Sequence, residues 1–212
     1  MSSIDDLEYG ANGMWVLVTA TFVVFLQAGF ALREVGTVQA KNTNDILYKF
    51  LLTGAITAIT WWILGYGFAF GNTKGGFLGV SLYGLDAGQF EWNSGKPLAY
   101  QSFFQAWAYA ITAVTIATGS LGERVKVQTV LILVAALSIW IYPIIVHWCW
   151  GQGWLSPFAN QSYDYLFYGK DSNNYIDAAG SGVVHTVGGV TALVGAIALG
   201  ARKVSLLHGR CM

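Results

Sequence analysis

Charge in this 212-residue chain is confined to short clusters, and the gaps between the clusters limit its fold more than any other feature. Glu8 and Arg33 are separated by 24 uncharged residues, Lys49 and Lys74 by 24, Lys96 and Glu123 by 26, Lys126 and Asp164 by 37, and Asp177 and Arg202 by 24. A helix that crosses a bilayer needs roughly 20 consecutive, mostly apolar residues, so each gap holds one crossing. Runs this long specify helices rather than barrel strands, because backbone in lipid must satisfy its hydrogen bonds within the segment. The spacing predicts an all-α integral membrane fold of five helices, at about 15–32, 50–70, 100–120, 127–150 and 182–201.

Composition agrees. The chain is 55% hydrophobic and 10% charged, with a mean hydropathy of +0.51, whereas a soluble domain carries about 25% charged residues. The first apolar run does not read as a cleaved signal peptide, which needs a basic start; here Asp5, Asp6 and Glu8 precede it. Formal net charge is zero, so a nucleic-acid partner has no electrostatic support. The distribution of charge is lopsided, however. Arg33, Lys41, Lys49, Arg124, Lys126, Arg202, Lys203 and Arg210 fall on one side of a five-helix topology, and only Lys74, Lys96 and Lys170 on the other. The excess of basic residues on the cytoplasmic side predicts an exterior amino terminus and a cytoplasmic carboxyl terminus. The sequon Asn160-Gln161-Ser162 then lies outside, open to glycosylation. Cys149 and Cys211 fall on opposite sides of the bilayer, so no disulfide is expected.

The links at 33–49 and 121–126 are short, and the loops at 71–99 and 151–181 longer and rich in Gly and aromatic residues. Such outer loops suit either a folded vestibule or simple anchoring of Trp and Tyr at the headgroups. No soluble domain, heptad run, low-complexity segment or internal repeat is visible. Association of helices in lipid depends on small residues that let backbones approach. Gly188, Ala192, Ala196 and Gly200 form such a stripe, with Gly189 and Gly195 beside it; Ala106, Ala110, Ala113 and Ala117 form another.

An ionisable residue inside a span is a functional candidate by default, and His185 is one. It precedes Gly188 and Gly189 by three and four residues, which predicts a position on the packed face of its helix. Two readings stay open: a buried histidine bonded to a neighbouring helix, or a pore-lining imidazole that takes the place of water or passes a proton. No metal set accompanies it, since His147 and Cys149 lack ligand spacing. Asp177 opens the same helix, where a carboxylate caps free N–H groups; about 12 Å of helix rise separates it from His185, so the two are not a catalytic pair. Trp148, Trp150 and Trp154 cluster at the outer end of the fourth helix, where a ring face attracts a cation. Phe103, Phe104, Trp107 and Tyr109 supply bulky rings in the third helix, as a constriction or as lipid-facing filler. No nucleotide loop, serine nucleophile elbow or paired carboxylate is present, so neither an enzyme nor a cofactor is indicated.

Five stretches carry a family resemblance: Gln27-Ala28-Gly29-Phe30-Ala31 through Ala40-Lys41-Asn42-Thr43, Gly65 through Gly71, Thr118-Gly119-Ser120-Leu121-Gly122-Glu123-Arg124, Tyr142-Pro143 through Pro157, and Asp177 through Gly189. In these the chain resembles ammonium transporters of the Amt type, closest to their eukaryotic plant-like branch. The resemblance covers residues 1–203 and leaves 204–212 as a divergent tail. It implies that Trp150 and Asp177 belong to an outer vestibule that recruits ammonium and that His185 is the first of two pore histidines. Tyr109 falls at an inner gate where the family has phenylalanine, and Phe104 is the candidate for an outer gate ring. It further implies deprotonation on entry and conduction of ammonia, since a bare cation in a narrow apolar pore would carry a large desolvation penalty. Family members have about eleven helices in two inverted repeats, and assemble as plasma-membrane homotrimers, so this chain matches the first repeat only. A truncated transporter is the first reading, a non-conducting regulatory half-subunit that associates with full-length transporters the second, and an intramembrane enzyme built on His185 the last.

Overall fold

A computed structural model of the chain describes residues 3–85, 99–157 and 175–201. Helix α1 is Ser3–Thr37, α2 is Ala40–Phe70, α3 is Ala99–Gly119, α4 is Val127–Cys149 and α5 is Ala178–Leu199. Asn160, Cys211 and the tail at 204–212 lie outside the described residues.

Four helices, α1 (over Asp6–Thr37), α2, α4 and α5, are long and apolar enough to cross a membrane. The third is long enough, with 21 residues, but Gln101, Gln105, Thr112, Thr115 and Thr118 make it less apolar. The structure supplies the reason. Helix α3 is the one that α1, α2 and α5 all pack against, and its polar groups meet protein instead of lipid. Gln27 of α1 donates from Nε2 to Thr112 Oγ1 and accepts from Thr115 Oγ1, both at 3.0 Å and both buried. The predicted alanine stripe of α3, Ala106, Ala110, Ala113 and Ala117, is buried throughout.

Two helices begin well before their apolar windows. Helix α1 starts at Ser3 rather than near residue 15, and carries its acidic residues on helical backbone. The helical path of α2 starts at Ala40 rather than near 50, because Lys49, taken as a loop charge, is buried. Its ammonium group is neutralised by Asp45 at 2.6 Å and donates to Val125 O at 2.7 Å. Charge therefore does not mark the helix boundary here. Glu123 belongs to the same cluster and accepts from Asn42 Nδ2 at 2.5 Å. Arg124 donates to Gly200 O at 2.8 Å and to Ser120 O at 2.6 Å, joining the C-terminal ends of α3 and α5.

Each of α2, α4 and α5 contains one π-helical stretch, at Trp61–Gly65, Leu137–Ile141 and Ser181–Thr186. The first two face each other. A Cβ on Gly65 would lie 2.7 Å from Ser138 O, and Thr60 Oγ1 meets Ser138 Oγ at 2.7 Å. Trp61, Tyr66, Tyr142 and Val146 fill the space between α2 and α4. On the other flank Gly188 lets α5 approach α3; a Cβ there would lie 2.8 Å from Ala113 O. Ser120 Oγ donates to Ala192 O at 3.1 Å below it. The small-residue stripe thus packs at Gly188 and Ala192, whereas nothing lies within 4 Å of a Cβ on Gly189 or Gly200.

The loop after α2 is folded where it is described. Thr73–Lys74 (β1) pairs antiparallel with Leu78–Gly79 (β2), and Gly75 and Gly76, at φ 62° and 76°, make the reversal. Trp148 Nε1 donates to Phe77 O at 3.0 Å, and the Trp148 ring packs on Phe77 and Trp154. These tryptophans therefore pack within the protein, against the loop that follows α2.

Candidate functional site

Helices α1 and α5 diverge over the middle of α3 and leave a groove of about 520 Å³. Its floor is Tyr109 and Thr112 of α3, one wall Val23, Leu26, Phe30 and Arg33 of α1, and the other Ala179, Val184 and His185 of α5. The α1 residues recur at steps of three, four and three, so they share one helical face. That periodicity was readable in the sequence as a second wall, but only the contacts show what it faces.

His185 lines the groove and is exposed, not buried in the bundle as the stripe predicted. It is closer in helical phase to Gly189, four residues on and open, than to Gly188, which packs on α3. Its imidazole therefore presents itself to the groove. Asp177 stands above, at the start of α5, and accepts from the N–H of Gly182 at 2.7 Å and from Ser181 Oγ at 3.2 Å. The carboxylate thus caps the helix through side-chain bonds, and it is not paired with His185. Tyr175 donates to the same carboxylate oxygen at 3.4 Å. Desolvation, with the nearby Asp177 carboxylate, raises the Tyr175 phenol above its usual range.

Trp150 ends α4, with its N–H on Val146 O at 2.7 Å. Its ring meets Tyr109 edge-on at 5.6 Å between centroids, and lies within 3.6 Å of a Cβ built on Gly180. The structure therefore brings Trp150, Tyr109 and the first turn of α5 together; Tyr109 and His185 both line the groove, and Trp150 stands beside it through its contact with Tyr109. Phe104 is placed elsewhere: its ring lies 5.8 Å from Trp107 and is not part of the groove lining. Ala179, which the sequence did not single out, lines the groove with φ 53°, a left-handed conformation that is costly for a residue with a Cβ. No group of three or more metal-ligating side chains occurs among the described residues.

Residues 14–209 match the model of the Ammonium Transporter Family. The chain belongs to that family. Among family relatives, it is 37% identical over 203 residues to ammonium transporter 3 of Dictyostelium discoideum, covering 95% of this chain and 42% of the relative. It is 40% identical over 171 residues to ammonium transporter 1 member 1 of Arabidopsis thaliana, covering 79% of this chain and 32% of the relative. With ammonium transporter Amt2 of Archaeoglobus fulgidus the identity is 34% over 198 residues, covering 93% and 40%. A solved structure described as a sensor Amt protein superposes with a TM-score of 0.79 at 30% identity, covering 95% of this chain and 47% of that one. The chain thus spans less than half the length of these relatives, which are named for transport or sensing and not for catalysis.

Proposed function

We propose that the chain forms one wall of a path for ammonium across a membrane. The observation that carries this reading is a single groove that Tyr109 and the exposed imidazole of His185 both line, with the Trp150 ring packed edge-on against Tyr109 beside it. Trp150 and the Asp177-capped start of α5 would recruit the cation, by ring-face attraction and by the negative charge near the mouth. The apolar wall then favours loss of a proton, since neutral ammonia enters a low-dielectric groove at far less cost than its ion. His185 offers one donor and one acceptor to the neutral base further in. Tyr109 acts as the inner gate, and its hydroxyl adds a polar group at that point. Phe104 serves as an outer ring only if its side chain leaves Trp107.

In this reading α3 crosses the membrane with the other four helices, and the five form the first of two inverted repeats. Its amino terminus is exterior and its carboxyl end cytoplasmic, in the plasma membrane. The completed protein would form trimers. Residues 1–203 are the transporter-like domain and 204–212 a separate tail, although the family match continues to residue 209. The groove is open along one side, with Leu26 57% exposed, so the chain conducts only when another segment closes it. A non-conducting subunit that docks on full-length transporters is the second reading, favoured by the same open side.

Methylammonium binding to the purified chain in lipid nanodiscs tests the recruitment step. Saturable binding that Trp150→Ala abolishes supports it, and binding indifferent to that change contradicts it. Co-expression with a full-length family member separates the two readings. Lowered uptake by the partner favours the regulatory subunit, and unchanged uptake counts against it.

A further inference from the structure

The geometry points to His147 as a positioning residue for the outer mouth: a neutral imidazole that ties the end of α2 and the outer hairpin to the last turn of α4, and so fixes Trp150. The inference rests on the reading of Trp150 as the recruiting ring, and concerns a residue that lies outside the groove.

His147 is fully buried, and both of its ring nitrogens are engaged. Nδ1 lies 2.9 Å from Ala69 O at the end of α2, and Nε2 lies 3.0 Å from Thr73 Oγ1 in β1. A carbonyl oxygen can only accept, so Nδ1 carries the hydrogen. Thr73 Oγ1 already accepts the Gly76 N–H at 3.1 Å, and its own hydrogen is available to Nε2. The donors therefore run in one direction, from Gly76 to Thr73 to His147 to Ala69, each bond polarising the next. With both nitrogens paired, the buried ring leaves no polar atom unsatisfied.

The backbone after the same turn folds back onto it, and one bond reaches the hairpin. Gly153 N–H donates to His147 O at 2.8 Å, Leu155 N–H to Trp148 O at 3.0 Å, and Trp154 N–H to Gly76 O at 3.2 Å. Gly151 passes so close to α2 that a Cβ on it would lie 2.4 Å from Ala69 O. Trp150 lies between these ties, three residues after His147. Its backbone is held on both sides while its ring is left to meet Tyr109. An apolar side chain of similar volume would fill the space of His147 but could not hold Thr73 and Ala69 at once.

The test uses the chain labelled with 5-fluorotryptophan in nanodiscs, with the Trp150 fluorine line assigned by Trp150→Phe, and methylammonium as the ligand. Wild type should give one narrow Trp150 line and a nitrogen spectrum in which His147 is protonated at Nδ1 and not at Nε2. Thr73→Val keeps the size of the side chain and removes only the hydroxyl. It should split or broaden the Trp150 line and weaken methylammonium binding about fivefold through the lost tie to His147, with about 25-fold for His147→Ala, a factor of about five for each of its two ties. His147→Asn, which keeps a donor near Ala69 O, should recover part of that loss. An unchanged Trp150 line in Thr73→Val would overturn the proposal, as would a hydrogen on Nε2, and Thr73→Val decides the matter even where His147→Ala fails to fold. If the wild-type chain binds no methylammonium, the recruitment reading fails, while the fluorine lines still show whether His147 fixes the ring.

Discussion

The flank where α2 meets α4 and the flank where α1 and α5 diverge are both made of apolar helix, yet one is sealed and the other open. On the sealed flank Trp61, Val134, Leu137, Ser138 and Tyr142 are almost wholly buried, and Trp61 and Tyr142 meet at 5.6 Å. On the open flank Phe22, Phe25 and Leu26 of α1 and Val190, Val194 and Ile197 of α5 are more than half exposed. Hydrophobicity does not separate the two, because lipid tails solvate Leu and Phe as well as protein does. What separates them is the means of close approach: Gly65 and a Thr60–Ser138 hydroxyl contact on one side, large side chains on the other. The sealed flank holds its helices in close contact, and the open flank leaves its apolar side chains uncovered.

Glycine substitutions should give the largest contrast. Leucine at Gly65 would press on the Trp61 ring and Ser138 O, and Gly65→Leu should lower unfolding stability in detergent by about 3 kcal/mol. A stable Gly65→Leu protein would break the comparison. The buried bridge from α1 to α3 comes next: Gln27→Leu removes the acceptor of Thr115 and the donor to Thr112, at a cost of about 1 kcal/mol in a chemical denaturation series. On the open flank Gly189→Ala meets nothing, and should raise stability by about 0.5 kcal/mol through the unfolded chain. Smallest of all, His185→Ala should leave stability within about 0.5 kcal/mol of wild type. In a completed transporter the same change should alter conduction. Loss of folding in His185→Ala would restore the reading of His185 as a core histidine.

Much of this was legible in the sequence because the bilayer is a severe solvent. The 23 residues Val127–Cys149 of α4 open the uncharged run of 37 after Lys126, and the expected span at 127–150 differs from them by one residue. Alanine and glycine spacing foretold the α3 and α5 contacts at Ala113 and Gly188. What was not legible depends on partners distant in sequence. Lys49 looked like a loop charge because the carbonyl it meets, Val125 O, lies 76 residues away. His185 looked buried because Gly188 and Gly189 are equivalent in sequence, and only the fold shows that one is packed and the other open. His147 was set aside as a poor metal ligand, and its partners, Ala69 O and Thr73, become visible only when α2 and α4 are placed side by side.

The groove lined by Tyr109 and His185, with Trp150 packed on Tyr109 beside it, is proposed to be one wall of an ammonium path that conducts only when closed. That can be measured as methylammonium uptake by cells that lack their own transporters and carry this chain, with its presence in the membrane confirmed by blotting. No uptake above background is expected from the chain alone; clear, saturable uptake would show that the open groove conducts unaided.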